Sequence, residues 1–200
     1  MKQFNGFKAE ASNKGPGQLP AGPYVAIIRA VKIDGQEPDQ TLILRLDIAE
    51  GDYTDYYKKR YIADSERKNS KYPAKYKGDF RLRIPNPANK KALYPESDLN
   101  RFNDAMYRIE ESNPGYHWDW NEQGLVGKYV GLSVRQGTYN GSGYTKPARL
   151  EIAGDVRQGL VAVMPPMEPK SDAYEPPVYE APVDQQTGFQ QVETDELPFD

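Results

Sequence analysis

Six consecutive residues, Tyr56-Tyr57-Lys58-Lys59-Arg60-Tyr61, set flat rings and cations side by side. That mixture suits one chemistry well: unstacked bases sit on the rings while the cations follow the phosphates between them. Tyr129, Arg135, Tyr139, Tyr144, Lys146 and Arg149 form a second, looser group around the glycine-rich stretch Tyr139-Asn140-Gly141-Ser142-Gly143-Tyr144. Arg45, Arg81 and Arg83 fall within alternating apolar segments, on the side facing away from a core, and complete a basic face. The candidate binding set is therefore Arg45, Tyr57, Lys59, Arg60, Tyr61, Arg81, Arg83, Tyr129, Arg135, Tyr139, Tyr144, Lys146 and Arg149. Two or three rings, each stacking a base for about 1–3 kcal/mol, give micromolar-scale affinity once phosphate contacts are added. The competing account of any single tyrosine is cross-strand packing, the ordinary place of aromatics in β-proteins. Lys71, Lys75 and Lys77 read equally well as a solvated loop.

Catalytic constellations are thin. His117 is the only histidine and stands between Tyr116 and Trp118, and cysteine is absent, so neither a thiolate site nor a Ser-His-Asp arrangement has support. Asp52, Asp55 and Asp64 lie near one another, as a Mg²⁺-dependent nuclease requires, but acidic residues serve turns more often. Gly137 to Gly143 lacks the Gly-Lys-Ser/Thr ending of a P-loop and leads into a strand rather than a helix. No catalytic residue, metal or cofactor is expected, and the chain reads as a binding protein rather than an enzyme.

Charge is distributed unevenly. The formal net charge is −3, but residues 160–200 hold nine acidic residues and one basic, Lys170. Residues 1–159 then carry 25 basic against 20 acidic residues, so the part that folds can present a positive surface despite the acidic total. No run of about 18 apolar residues marks a membrane span, and the first residues lack the apolar core of a secretory signal. A cytoplasmic location is expected.

The elements that must position these side chains follow from periodicity. Residues 1–20, with Gly6, Gly15, Pro16, Gly17 and Pro20, read as a flexible arm. Tyr24 to Ile33 reads as a strand. Leu42, Leu44, Leu46 and Ile48 alternate with Ile43, Arg45, Asp47 and Ala49, the pattern of a half-buried strand. The polar connection from Asp34 to Gln40 joins the two as a hairpin. Asp64–Gly78 reads as a loop, and Phe80, Leu82 and Ile84 mark a third strand. Ser97-Asp98 resembles a helix N-cap before Leu99, Phe102, Met106 and Ile109, an amphipathic helix that stops at Asn113-Pro114-Gly115. Trp118 and Trp120 suit the end cap of a barrel. Gly127 to Arg135 and Pro147 to Ala153 supply the last strands. Seven of the 17 prolines fall in residues 160–200, a composition that reads as a disordered linker. The expected fold is mainly β: a five-stranded barrel like the oligonucleotide-binding (OB) fold, with one inserted α-helix and a disordered acidic C-terminal tail. The expected division is an arm at 1–20, a barrel at 21–159, a linker at 160–193 and a tip at 194–200.

Two resemblances add to this. Leu19-Pro20-Ala21-Gly22-Pro23-Tyr24-Val25, Leu44 through Gly51, Glu111-Ser112-Asn113-Pro114-Gly115-Tyr116 through Trp120, and Leu125-Val126-Gly127-Lys128 resemble small replication and recombination proteins of bacteriophages and prophages. That group is regarded as OB-fold single-stranded DNA-binding proteins, and the resemblance spans about residues 19–155 through structural rather than catalytic motifs. It implies single-stranded DNA as ligand and a bacterial host cytoplasm as location. The tail residues Asp195-Glu196-Leu197-Pro198-Phe199 are similar to the acidic C-terminal peptide of bacterial single-stranded DNA-binding proteins, although here Asp200 follows the phenylalanine. That similarity implies that Asp195, Glu196, Leu197, Pro198, Phe199 and Asp200 dock onto a polymerase, helicase, primase or recombinase. An apolar anchor among carboxylates suits a hydrophobic pocket with a basic rim. The alternatives are an adaptor β-domain that binds protein only and an RNA-binding module; a homo-oligomer is left open.

Overall fold

The computed structural model describes residues 17–67, 72–89, 95–139 and 142–167, without the side chain of Tyr139. The elements run β1 (Gly22–Gln36), β2 (Asp39–Ile48), α1 (Tyr56–Ser65), β3 (Asp79–Arg83), α2 (Pro95–Ser112), a 3₁₀ turn (Glu122–Leu125), β4 (Tyr129–Tyr139), β5 (Ser142–Glu151) and α3 (Ala153–Arg157). All strand pairs are antiparallel, in the order β3-β2-β1-β4-β5, and β3 and β5 at the two ends approach each other. The protein is thus mainly β, a five-stranded sheet nearly closed like a barrel. Its order, and the helix between β3 and β4, are compatible with an OB fold.

The long β1 makes closure possible. Its first half pairs with β4 and its second half with β2, and a bulge between Ile28 and Ala30 bends it between the two partners. Alternation then sends Ile28, Leu42, Leu44, Leu46, Ile48, Phe80, Leu82, Val130, Leu132, Val134 and Leu150 inward, where each is 5 % exposed or less. Burying each such side chain stabilises by roughly 1.5–3 kcal/mol. The β1–β2 hairpin forms as expected, with Glu37-Pro38 as its tip and a cis peptide bond between them.

α2 covers one end of the barrel with Phe102, Ala105, Met106 and Ile109. Its stripe starts later than the spacing suggests, for Leu99 is 45 % exposed. Trp118 packs against the core as expected, whereas Trp120 lies 66 % exposed with its ring stacked on Phe102 at 5.8 Å. Trp120 also adopts a left-handed backbone (φ 66°), uncommon for a bulky residue.

Two expectations about the chain's ends change. Leu19, placed in the flexible arm, is fully buried: its N–H donates to Tyr56 Oη and its carbonyl accepts from the Thr145 hydroxyl, both at 2.9 Å. Residues 165–167, placed in the linker, lie against β4: Arg135 donates to the Pro165 and Pro166 carbonyls and Met167 N–H donates to the Gln136 carbonyl. The acidic tail, including Asp195, Glu196, Leu197, Pro198, Phe199 and Asp200, lies outside the described residues. Among those described, no helix is long and apolar enough to cross a membrane.

Candidate nucleic-acid interface

The densest aromatic-basic stretch of the sequence is a helix, α1, which makes two helices of ten residues or more among the described residues where one was expected. Its local signals are weak: Asp55 at its N-terminus sits in a left-handed backbone (φ 59°) and makes no side-chain cap. The cap comes from β2 instead. The carboxylate of Asp47, on the outer side of the strand yet fully buried, accepts from the backbone N–H groups of Ile48, Tyr57 and Lys58 at 2.9, 2.9 and 3.1 Å. A carboxylate at the first turn satisfies orphan donors and complements the positive end of the helix. It fixes α1 against the barrel at the level of Leu46 and Gly78.

Helix placement decides which aromatic rings are available. Tyr57, in the candidate set as a base platform, is 3 % exposed and belongs to the core, so it presents no ring face to solvent. Gly78 makes room for it: a Cβ there would fall 2.7 Å from the Tyr57 ring. A chain of rings, Tyr24–Tyr53–Tyr56–Tyr57–Tyr76–Tyr61, runs over this side with successive centroids 5.3–6.4 Å apart. Burial, with the neighbouring tyrosines, pushes Tyr24 up to about 12 and raises Tyr57 further, while burial and the Asp47 carboxylate raise Tyr76. These hydroxyls therefore stay protonated, and that of Tyr76 donates to the Leu46 carbonyl. At the exposed end, Tyr61 is 41 % exposed and leans on Tyr76, and the Arg45 guanidinium lies 4.9 Å from the Tyr76 ring centre.

Two basic surfaces meet at Tyr76. The first is a groove between α1 and β5. One part, about 380 Å³, is lined by Gln18, Tyr56, Tyr57, Arg60, Lys77, Tyr144 and Lys146 among others. A second part of about 380 Å³ shares Arg60 and Lys77 and continues past Arg67, Tyr72 and Lys75. Asp64 is the single carboxylate among these lining residues, and it lies 3.7 Å from Arg60 and 3.2 Å from Arg67. The second surface is the outer face of β1–β2–β3. Register places Lys32, Ile43 and Arg81 in one row, with Ala30, Arg45 and Asp79 in the next. Arg45 is paired to Asp79 at 3.0 Å, Arg81 lies 3.8 Å from Asp34, and Arg83 lies 3.8 and 3.7 Å from Asp39 and Asp98. These exposed pairs are weak enough for a phosphate to compete with the carboxylates.

Arg60, Tyr144 and Lys146 are thus brought to the groove, and Arg45, Tyr61, Arg81 and Arg83 to the adjoining face. Others are held elsewhere. Lys59 turns its ammonium to the Thr54 carbonyl. Arg135 donates to the carbonyls of Pro165 and Pro166 and so fastens the chain after α3. Arg149 pairs with Glu151 at 2.6 Å, a buried carboxylate that also receives Arg108 and the Ser133 hydroxyl. Tyr129 sits at the far end of β4, where the Asn113 side chain bonds its backbone. Backbone pairing carries Tyr139 into the β4–β5 hairpin opposite Ser142. Sequence reasoning passed over Gln18, Tyr56, Arg67, Lys75, Tyr76 and Lys77 as site residues. The alternation Lys75-Tyr76-Lys77 was a usable signal, for it puts two cations on one side and a ring on the other.

A second concavity, about 290 Å³, is lined chiefly by apolar groups including Ile84, Pro85, Pro87, Pro95, Leu99 and Trp120. No group of three or more metal-ligating side chains occurs among the described residues. No family model and no curated protein matches the chain, and the resemblances seen in its sequence gain nothing from them.

Proposed function

We propose that the protein binds single-stranded DNA without catalysing a reaction. The strand follows the groove between α1 and β5 and the adjoining outer face of β1–β2–β3. One observation carries this reading: a continuous tract of cations (Arg67, Lys75, Lys77, Arg60, Lys146) bordered by tyrosines, with a single carboxylate among its lining residues. Cations spaced along a groove follow a phosphate backbone, and Tyr61, Tyr76 and Tyr144 supply rings on which bases stack in any sequence. The near-closed barrel supports the same reading, since OB-type barrels bind oligonucleotides across the β2–β3 face. Resemblance to phage replication and recombination proteins supplies the setting, and the acidic tail, Asp195–Asp200, serves as the docking peptide for a replication or recombination enzyme.

The test is anisotropy of a labelled poly-dT oligomer against the full chain at two salt concentrations, with a duplex control. Tight binding to the single strand that weakens as salt rises, with little binding to duplex, is the expected result. Absence of binding at low salt overturns the reading. The adaptor alternative would then lead, favoured by the apolar concavity beside the exposed Trp120 and Leu99.

A further inference from the structure

The part of the groove nearest the barrel is built differently from the rest. Arg60, Lys77 and Lys146 converge on it, and no carboxylate is among its lining residues. Beneath them lie two buried tyrosines. The hydroxyl of Tyr57 is buried without a hydrogen-bond partner, and burial keeps it protonated and able to donate. The hydroxyl of Tyr56 accepts from Leu19 N–H and from Arg60, and no acceptor for its own proton is found among the described residues. Buried hydroxyls are rarely left unpaired, and Tyr57 belongs to the wall of a pocket that the three cations also line. Leu19, bridging Tyr56 and Thr145, closes the floor, while the side toward Lys75 and Arg67 continues as the groove.

A strand lying in the groove therefore reaches a closed end here. An internal phosphodiester has one negative charge and a chain connection on both sides. A terminal phosphate monoester has about 1.5 to 2 negative charges and only one connection. Three cations and two donating hydroxyls match the monoester better, and a volume of about 380 Å³ lies at the small end of ligand pockets, which span roughly 300–1,000 Å³. We propose that this pocket holds the terminal phosphate monoester of a nucleic-acid strand, with the last base beside Tyr144. This rests on the groove being a nucleic-acid interface.

The experiment compares three internally labelled dT oligomers of equal length, carrying a 5′-phosphate, a 3′-phosphate or hydroxyls at both ends, against the full chain. One phosphorylated strand is expected to bind about tenfold more tightly than the hydroxyl strand, the effect of a few charge-assisted hydrogen bonds. In Tyr57→Phe and in Lys146→Gln the ratio of those two affinities should fall toward one. Thymidine 5′-monophosphate should displace the phosphorylated strand only far above that strand's Kd. Displacement at the strand's own concentration would assign the pocket to a free nucleotide and overturn the proposal. Equal affinity for all three oligomers overturns end recognition but leaves the groove reading standing; no binding by any of them removes both.

Discussion

Asp47 shows how much one side chain can organise. It is a carboxylate with no solvent exposure, and backbone N–H groups of β2 and α1 satisfy it. Asp47→Ala leaves those buried donors unpaired and should cost about 3 kcal/mol, a large part of the roughly 5–15 kcal/mol that holds a domain together. Urea unfolding followed by tyrosine fluorescence measures it. Asp47→Asn, which keeps an acceptor oxygen, should recover part of the loss. From the sequence Asp47 looked like an outward residue of an alternating strand, because alternation reports which side of a strand a residue is on and not what later covers that side. Tyr57 was misplaced for the same reason: once α1 is docked by Asp47, the second residue of the Tyr56-Tyr57 pair is rotated into the core.

At the level of elements, the strands were the most legible. Leu42, Leu44, Leu46 and Ile48, and Phe80 with Leu82, declare themselves by strict alternation and are all buried. α1 stayed hidden because it buries only Tyr56 and Tyr57 and so lacks a periodic apolar stripe. Its cap, moreover, comes from a strand ten residues upstream of Tyr57. The groove was half legible: Arg60, Tyr144 and Lys146 stood out from their neighbours, whereas Lys77 joins them only because β3 begins beside Leu46. These placements separate otherwise similar residues of α1. Tyr61→Ala should weaken poly-dT binding by about 1–3 kcal/mol, the worth of one stacking platform. Lys59→Ala should change it by no more than about 0.5 kcal/mol, as for surface substitutions away from special features. Parallel titrations at one salt concentration decide between them, and equal losses would mean that the strand runs along the other side of the helix.

For the whole molecule, the uneven charge is the governing feature. The basic excess lies in residues 1–159 and the acidic excess in residues 160–200, so the two parts suit partners of opposite kind. Deleting residues 190–200 should leave poly-dT binding unchanged or tighter, since it removes carboxylates that compete with phosphate. If the tail is the docking peptide proposed above, the same deletion should abolish retention of a replication or recombination enzyme on a column of immobilised protein. Weaker oligonucleotide binding after deletion would show that the tail supports the interface instead.

Leu19 has a further consequence, for the order in which the molecule is assembled. Its two polar links reach residues 37 and 126 positions along the chain. Contacts of such separation carry a high loop-closure cost and form late. A chain emerging from the ribosome has made Leu19 at the outset, yet must synthesise β5 before Thr145 can receive it. Until then Tyr56 and Tyr57 lie without their cover, and the pocket floor does not exist. The surface to which the binding reading is tied is thus among the last parts of the protein to be completed.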